Sequence, residues 1–188
     1  MLELKKKLAQ LLYDKSYKEG QFTLTSGKKS DYYFDCKQTA LHPAGSYFLG
    51  KILFSMIQKL PEPVSGVGGM TLGADPLVSA VTVISYLEGN PLPGFIVRKK
   101  PKKHGTAQFL EGLANFSQGN RVCLLEDVIT TGGSVLTAAT RVQEAGLEVK
   151  DIICVLDREE GGKQTLEQKG YRFYSIFTRQ ELLDLVKK

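Results

Sequence analysis

The chain alternates short β-type runs with helix-type stretches over most of its length, and this alternation restricts the possible folds more than any other feature. The β-type runs span residues 64–67, 95–98, 121–125, 149–156 and 172–177. Stretches with apolar residues at helical spacing separate them, at about 73–86, 134–145 and 163–169. This order predicts an α/β fold with a mostly parallel central sheet flanked by helices.

The first 60 residues have a different pattern. Leu4, Leu8 and Leu11 lie at helical spacing and predict an opening amphipathic helix that ends near Asp14. Residues 21–35 carry β-formers on both sides of a Ser-Gly-Lys turn, which predicts a hairpin. Residues 43–60 return to a helical pattern. A length of 188 residues fits one domain covering 1–188.

The positive charge of the chain is concentrated in one segment. The sequence holds 25 Lys and Arg against 20 Asp and Glu, a formal charge of +5. The run from Arg98 to His104, RKKPKKH, accounts for the whole excess. A nucleic-acid binder usually spreads its basic residues along a face, with aromatic residues between them for single strands. That pattern is missing, so no nucleic-acid partner is expected.

The remaining composition indicates a cytoplasmic protein. No apolar run approaches the 18 or more residues that cross a bilayer, so no membrane partner is expected. The N-terminal segment lacks the apolar core of a signal peptide. Cys36, Cys123 and Cys154 are too few and too scattered for a disulfide framework or a zinc site, which fits a reducing compartment.

The segment EDVITTGGS follows the β-type run 121–125 and precedes a helix. Its glycines, hydroxyls and backbone N–H groups suit a phosphate at a helix N-terminus. Glu126 and Asp127 would repel that phosphate, but they can accept hydrogen bonds from two sugar hydroxyls. The implied ligand is a ribose 5-phosphate. The spacing excludes a P-loop and a GxGxxG motif. TGGS alone would favour an ordinary strand-to-helix turn with a capping serine, and the two acids and the flanking apolar runs reverse that preference.

The longer segment LLEDVITTGGS resembles the signature of the type I phosphoribosyltransferases, which bind 5-phosphoribosyl 1-pyrophosphate (PRPP) with Mg²⁺. Three further segments, FTLTSGKKSDYYFD, VRKKPKKHGTAQFLEG and LDREEGG, resemble in order and spacing the N-terminal substrate segment, mobile catalytic loop and substrate arginine of the orotate phosphoribosyltransferases. The resemblance spans about 22–179. It implies the type I phosphoribosyltransferase fold with a small N-terminal substrate hood at about 1–40 and a mobile catalytic loop at 98–112.

The resemblance also implies which residues contact PRPP. They are Arg98, Lys99, Lys102, His104, Glu126, Asp127, Val128, Ile129, Thr130, Thr131, Gly132, Gly133 and Ser134. Catalytic roles fall to Lys102 and His104, beside the departing pyrophosphate, and to Asp127. Cations placed where charge develops stabilise the transition state. Without the resemblance, the basic run would be interpreted as a solvated surface segment.

For orotate, the resemblance points to Thr130, Arg158, Tyr33 and Phe34. An arginine can bind the carboxylate of the pyrimidine through two hydrogen bonds, which a lysine cannot. The alternatives are a surface ion pair of Arg158 with a neighbouring glutamate and core packing of the two aromatic rings.

The chain departs from the family pattern at two positions. One branch has lysine where this chain has Thr25, and Lys28, Lys29 or Lys37 could supply the missing charge. Some members also carry lysine in place of Leu72.

The implied reaction transfers the 5-phosphoribosyl group of PRPP to orotate, giving orotidine 5′-monophosphate and pyrophosphate in pyrimidine nucleotide synthesis. Mg²⁺ is expected to arrive with the substrate, without direct protein ligands assigned. The resemblance further implies a homodimer in which each loop closes over the partner's site. The alternatives are a purine phosphoribosyltransferase, which Arg158 disfavours, and a PRPP-sensing regulator.

Overall fold

The computed structural model describes residues 1–23, 29–101 and 109–186. Its helices are α1 (Leu2–Ser16), α2 (Lys37–Ala40), α3 (Pro43–Ile57), α4 (Asp75–Leu87), α5 (Gly133–Glu144), α6 (Gly162–Gln168) and α7 (Arg179–Val186). Its strands are β1 (Tyr17–Thr23), β2 (Lys29–Phe34), β3 (Val67–Met70), β4 (Gly94–Val97), β5 (Leu110–Glu111), β6 (Arg121–Ile129), β7 (Glu148–Asp157) and β8 (Arg172–Thr178).

Six strands form one central sheet in the order β5-β4-β3-β6-β7-β8. Every pair is parallel except β4 with the short edge strand β5. Along β6, alternate side chains enter two different apolar clusters. Leu125 packs in the cluster that contains residues of α1, α3, α4 and α7, and Leu124 packs in the cluster that contains residues of α5 and α6. Helices therefore cover both faces, which confirms the predicted α/β architecture.

The strand predicted at 64–67 was misplaced, since β3 occupies Val67–Met70 instead. Sequence patterns disfavour strands that contain adjacent glycines, because glycine has little β-propensity. Close packing requires glycine here. A Cβ at Gly68 would lie 2.2 Å from the ring of Phe95, and one at Gly69 would lie 2.2 Å from the carbonyl oxygen of Leu125.

The predicted hairpin is confirmed as an antiparallel pair, β1 with β2, in which Tyr17 lies opposite Phe34. Its tip, residues 24–28, lies outside the described residues. Helix α1 extends to Ser16, two residues beyond the predicted end. Helix α7 and strand β5 were not predicted, since each is short; α7 packs against α1. Within the described ranges, no helix is both long and apolar enough to cross a membrane.

Candidate functional site

Three loops meet at the carboxyl edge of the sheet, after β3, β6 and β7. The backbone N–H of Arg158 donates to the carbonyl of Ile129 at 2.9 Å, which joins the ends of β7 and β6. A Cβ at Gly162 would lie 2.7 Å from the carbonyl oxygen of Thr130, and one at Gly73 would lie 2.6 Å from the carboxylate of Asp127. The loops are therefore packed against one another, and Thr130 and Arg158 are brought together as predicted.

Glu126 and Asp127 close β6 in different environments. Glu126 is 6% exposed, and its Oε2 is buried without a hydrogen-bond partner among the described residues. Burial raises the pKa of Glu126 well above its ordinary value, and the neighbouring charge of Asp127 raises it further. Asp127 is half-buried and accepts the N–H of Val128 at 2.8 Å. The unpartnered oxygen of Glu126 can accept a hydrogen bond from a ligand.

The glycine-rich segment forms a tight turn between β6 and α5. Gly132 has a φ of 87°, which favours glycine, and α5 begins at the next residue. Thr131, Gly133 and Ser134 are exposed. Ser134 does not cap the helix through its side chain, so the capping alternative does not describe it. The N–H groups of the first helical turn lack intrahelical acceptors and are available to an anion. Val128 and Ile129 belong to β6 itself.

Arg158 is held by three residues. Its Nε lies 2.8 Å from a carboxylate oxygen of Glu160, and its Nη2 donates to the hydroxyl of Ser30 at 3.1 Å. Its Cζ lies 4.2 Å from the centroid of the Tyr32 ring, a cation–π distance. The predicted alternative, an ion pair with a neighbouring glutamate, exists, but the Arg158 side chain is only 5% exposed. The arginine end of the pair is therefore buried, whereas the Glu160 side chain is 28% exposed.

The aromatic residues of β2 point in alternate directions. Tyr33 is 44% exposed, whereas Tyr32 and Phe34 are buried in the core. The core-packing alternative thus describes Phe34, and the structure does not bring Tyr33 and Phe34 onto one face. The sequence analysis missed Tyr32, the ring that contacts Arg158. The two-residue period of a strand, which puts Tyr32 on the same face as Phe34, was the available signal.

Both ends of the basic loop lie within the described residues. Arg98 pairs with Glu111 at 2.9 Å, and its backbone carbonyl accepts from Arg141 at 2.6 Å. The charge of Lys99 acts on Glu126 and lowers its pKa slightly against the larger effect of burial. The predicted residues Lys102 and His104 lie outside the described residues.

Of the described lysines considered for the position of Thr25, Lys37 interacts electrostatically with Asp127. Its Nζ lies 2.6 Å from Asp35, and its hydrogen bond with Asp35 raises the pKa of Lys37, with a smaller contribution from Asp127. Lys29 is exposed at the start of β2. Thr25 and Lys28 lie outside the described residues.

Strand β6 ends in two acidic residues and leads into a glycine-rich turn. On this parallel sheet, that combination defines the class of type I phosphoribosyltransferases. The chain is 45% identical to the orotate phosphoribosyltransferase of Aquifex aeolicus over 97% of this chain and 99% of that one. It is 44% identical to that of Nostoc sp., over 95% of this chain and 85% of the relative. The chain therefore belongs to the orotate phosphoribosyltransferase family.

Solved structures agree with this assignment. Mycobacterium tuberculosis orotate phosphoribosyltransferase, in complex with Fe(III) dicitrate, superposes with a TM-score of 0.82 at 36% identity and covers 95% of this chain and 98% of its own. The same enzyme in complex with PRPP has a TM-score of 0.78 at 34% identity, with the same coverage. No protein-family model matches the chain.

Proposed function

We propose that the chain transfers the 5-phosphoribosyl group of PRPP to orotate, giving orotidine 5′-monophosphate and pyrophosphate. The observation that carries the proposal is the buried guanidinium of Arg158, one backbone hydrogen bond away from a turn suited to a ribose 5-phosphate. A fixed positive charge beside a sugar-phosphate site fits a base that carries a carboxylate. The M. tuberculosis enzyme solved with PRPP supports PRPP as the donor.

The two substrates divide the site between them. We assign the phosphate of PRPP to the turn from Thr130 to Ser134 and its ribose hydroxyls to Glu126 and Asp127. Among the described atoms, Oε2 of Glu126 has no hydrogen-bond partner, and a ribose hydroxyl can donate a hydrogen bond to it. The pyrimidine lies between this turn and Arg158, with Thr130 and Tyr33 as further predicted contacts, whereas Phe34 is buried in the core and is not assigned to it.

Bond cleavage at C1 of the ribose builds positive charge on the sugar and negative charge on the pyrophosphate. The bond from C1 to the pyrophosphate oxygen breaks, the ring nitrogen of orotate forms the new bond to C1, and the proton on that nitrogen is released to water. We assign Lys102, His104, Arg98 and Lys99 to the pyrophosphate and Asp127 to the sugar. Interactions that strengthen as these charges develop accelerate the reaction.

Mg²⁺ would bind mainly to oxygen atoms of PRPP. The described residues contain no cluster of three or more His, Cys, Asp and Glu side chains that could hold a metal ion. Asp75, whose Oδ1 is buried without a partner and whose Oδ2 accepts from Thr71 at 2.8 Å, is suited to bind it through water. When bound, the ion neutralises charge on the leaving pyrophosphate.

An apolar surface supports a homodimer. Large side chains on α4 and α3 are exposed, with 59% of Val83, 74% of Tyr86, 71% of Leu87 and 51% of Tyr47 accessible. Leu72, 68% exposed, lines a cavity together with Ser46, the neighbour of Tyr47 in α3, and precedes Gly73, which packs against Asp127. Exposed apolar side chains concentrated on one surface mark interfaces. We assign a second copy of this chain as its occupant, since this continuity places the partner next to the site.

Mass measurement in solution tests the dimer. The wild-type protein should have twice the mass of 20.8 kDa. Tyr86→Glu, which puts a charge into the apolar surface, should shift the protein toward monomer, whereas Lys59→Glu, two residues beyond the end of α3, should not. A monomeric wild-type protein would refute the interface.

One assay tests the proposed reaction. The protein is incubated with orotate, PRPP and Mg²⁺, and the loss of orotate absorbance is followed. Turnover is expected with orotate but not with adenine or hypoxanthine. Activity with a purine alone would favour a purine phosphoribosyltransferase. PRPP binding without turnover would favour a regulator.

The three buried, unpaired cysteines fit a cytoplasmic location.

A further inference from the structure

Glu160 lies two residues after Arg158 and accepts a hydrogen bond from one edge of its guanidinium. The Nε of Arg158 donates to Oε1 of Glu160 at 2.8 Å. A carboxylate so placed offers the same chemistry as the carboxylate of orotate, so it either competes with the substrate or orients the arginine. The remaining contacts of Arg158 decide between these roles.

A guanidinium has five N–H groups, one on Nε and two on each Nη. Glu160 takes the Nε group, and Ser30 takes one group on Nη2. The two N–H groups on Nη1 and the second one on Nη2 have no hydrogen-bond partner within residues 1–23, 29–101 and 109–186. Nη1 and Nη2 thus each retain at least one donor, and a pair of donors on these two nitrogens can bind a second carboxylate through two hydrogen bonds.

The face of the guanidinium is fixed as well. Its Cζ lies 4.2 Å from the centroid of the Tyr32 ring, and the Cζ of Arg179 lies 4.0 Å from the same centroid. Arg179 donates to Asp31 at 2.9 Å and to the hydroxyl of Tyr17 at 3.3 Å. The Tyr32 ring is 3% exposed and is therefore held in place.

We propose that Glu160 and the Tyr32 ring are positioning residues that hold Arg158 with its Nη1–Nη2 end free for the carboxylate of the pyrimidine. The inference rests on the proposed function, because it requires a base that carries a carboxylate. Glu160 fixes the rotation of the guanidinium in its plane, and Tyr32 fixes the tilt. A side chain already held by these contacts loses little conformational entropy when it binds the substrate.

Variants of Glu160 test the inference through the Michaelis constants for each substrate. Glu160→Ala should raise the KM for orotate about 10-fold or more, as expected for the loss of a charge-assisted hydrogen bond, and should leave the KM for PRPP within about twofold. Glu160→Gln, whose amide oxygen can still accept from Nε, should recover most of this loss. Glu167→Gln removes an exposed carboxylate on α6 and serves as the matched control.

Tyr32 provides a second, independent test. Tyr32→Phe keeps the ring and should leave the KM for orotate unchanged, whereas Tyr32→Leu removes the ring face and should raise it. Should Tyr32→Leu fail to fold, the Glu160 series still decides.

Three results would overturn the inference: a lower KM for orotate in Glu160→Ala, which would make Glu160 a competitor; equal effects on both substrates or none; and equal loss in the Gln and Ala variants. Failure of the wild-type protein to consume orotate would instead refute the proposed function.

Discussion

At the scale of single residues, Arg158 is the group proposed to select the base. Arg158→Ala should weaken orotate binding by about 1.5–3 kcal/mol, because a buried charge-assisted hydrogen bond to the carboxylate is lost. PRPP carries no group that this guanidinium is assigned to bind, so its affinity should stay nearly constant. Calorimetric titration with each ligand measures both effects. Similar losses for the two ligands would mean that Arg158 supports the site as a whole.

Glu126 should make the free protein less stable as the pH rises. Burial raises the pKa of the folded-state carboxyl above its ordinary value of 4.5, so the folded protein binds more protons than the unfolded chain. The favourable contribution of the protonated form is present below the unfolded-state pKa. It is lost as the pH increases toward the higher folded-state value.

Glu126→Gln removes this titration. Its Tm should exceed that of the wild type by a few degrees at pH 8, and by less at pH 5, in the absence of ligand. Turnover should fall, because the acceptor assigned to a ribose hydroxyl is weakened. Thermal unfolding at the two pH values measures the difference. An equal Tm difference at both would show that Glu126 has the same pKa in the folded and unfolded states.

At the scale of secondary-structure elements, β3 depends on its glycines. A Cβ at Gly69 would lie 2.2 Å from the carbonyl oxygen of Leu125 on the neighbouring strand. Gly69→Ala should therefore destabilise the protein by about 1–3 kcal/mol. Gly133→Ala is the matched control, because its Cβ would have no neighbour within 4 Å. Denaturant unfolding compares the two, and equal stabilities would show that β3 can shift without cost.

Strand β3 also shows what a sequence pattern does not predict. Periodicity identified most elements of the sheet because their apolar residues are buried on both faces. It placed β3 three residues early, since adjacent glycines resemble a loop until Phe95 and Leu125 are known to pack against them.

The contacts of the site likewise divide into those that the sequence could predict and those that it could not. Arg158 and Thr130 follow strands, so their meeting at one edge was predictable. The contacts of Arg158 with Ser30 and Tyr32 join segments more than 120 residues apart, and local pattern carries no information about such pairs.

At the scale of the whole molecule, the proposed dimer should share its sites between subunits. Lys102→Ala and Asp127→Asn should each be inactive alone. Mixed under conditions of subunit exchange, they should regain about a quarter of the wild-type activity, because each mixed dimer then has one intact site. Mass spectrometry verifies the exchange. If mixed dimers form and activity stays at the level of the separate variants, Lys102 serves the site of its own subunit.

Two arginines, together with the burial of Tyr17, Tyr32 and Phe34 in the core, attach the two-stranded sheet of β1 and β2 to the rest of the molecule. Arg158 bonds to Ser30 and lies on Tyr32, and Arg179 bonds to Asp31 and Tyr17. An isolated two-stranded sheet is marginally stable in water, so local opening of this hairpin depends on those contacts. A ligand that immobilises Arg158 should therefore slow amide hydrogen exchange along β2. Exchange rates in the hairpin would then report whether the site is occupied.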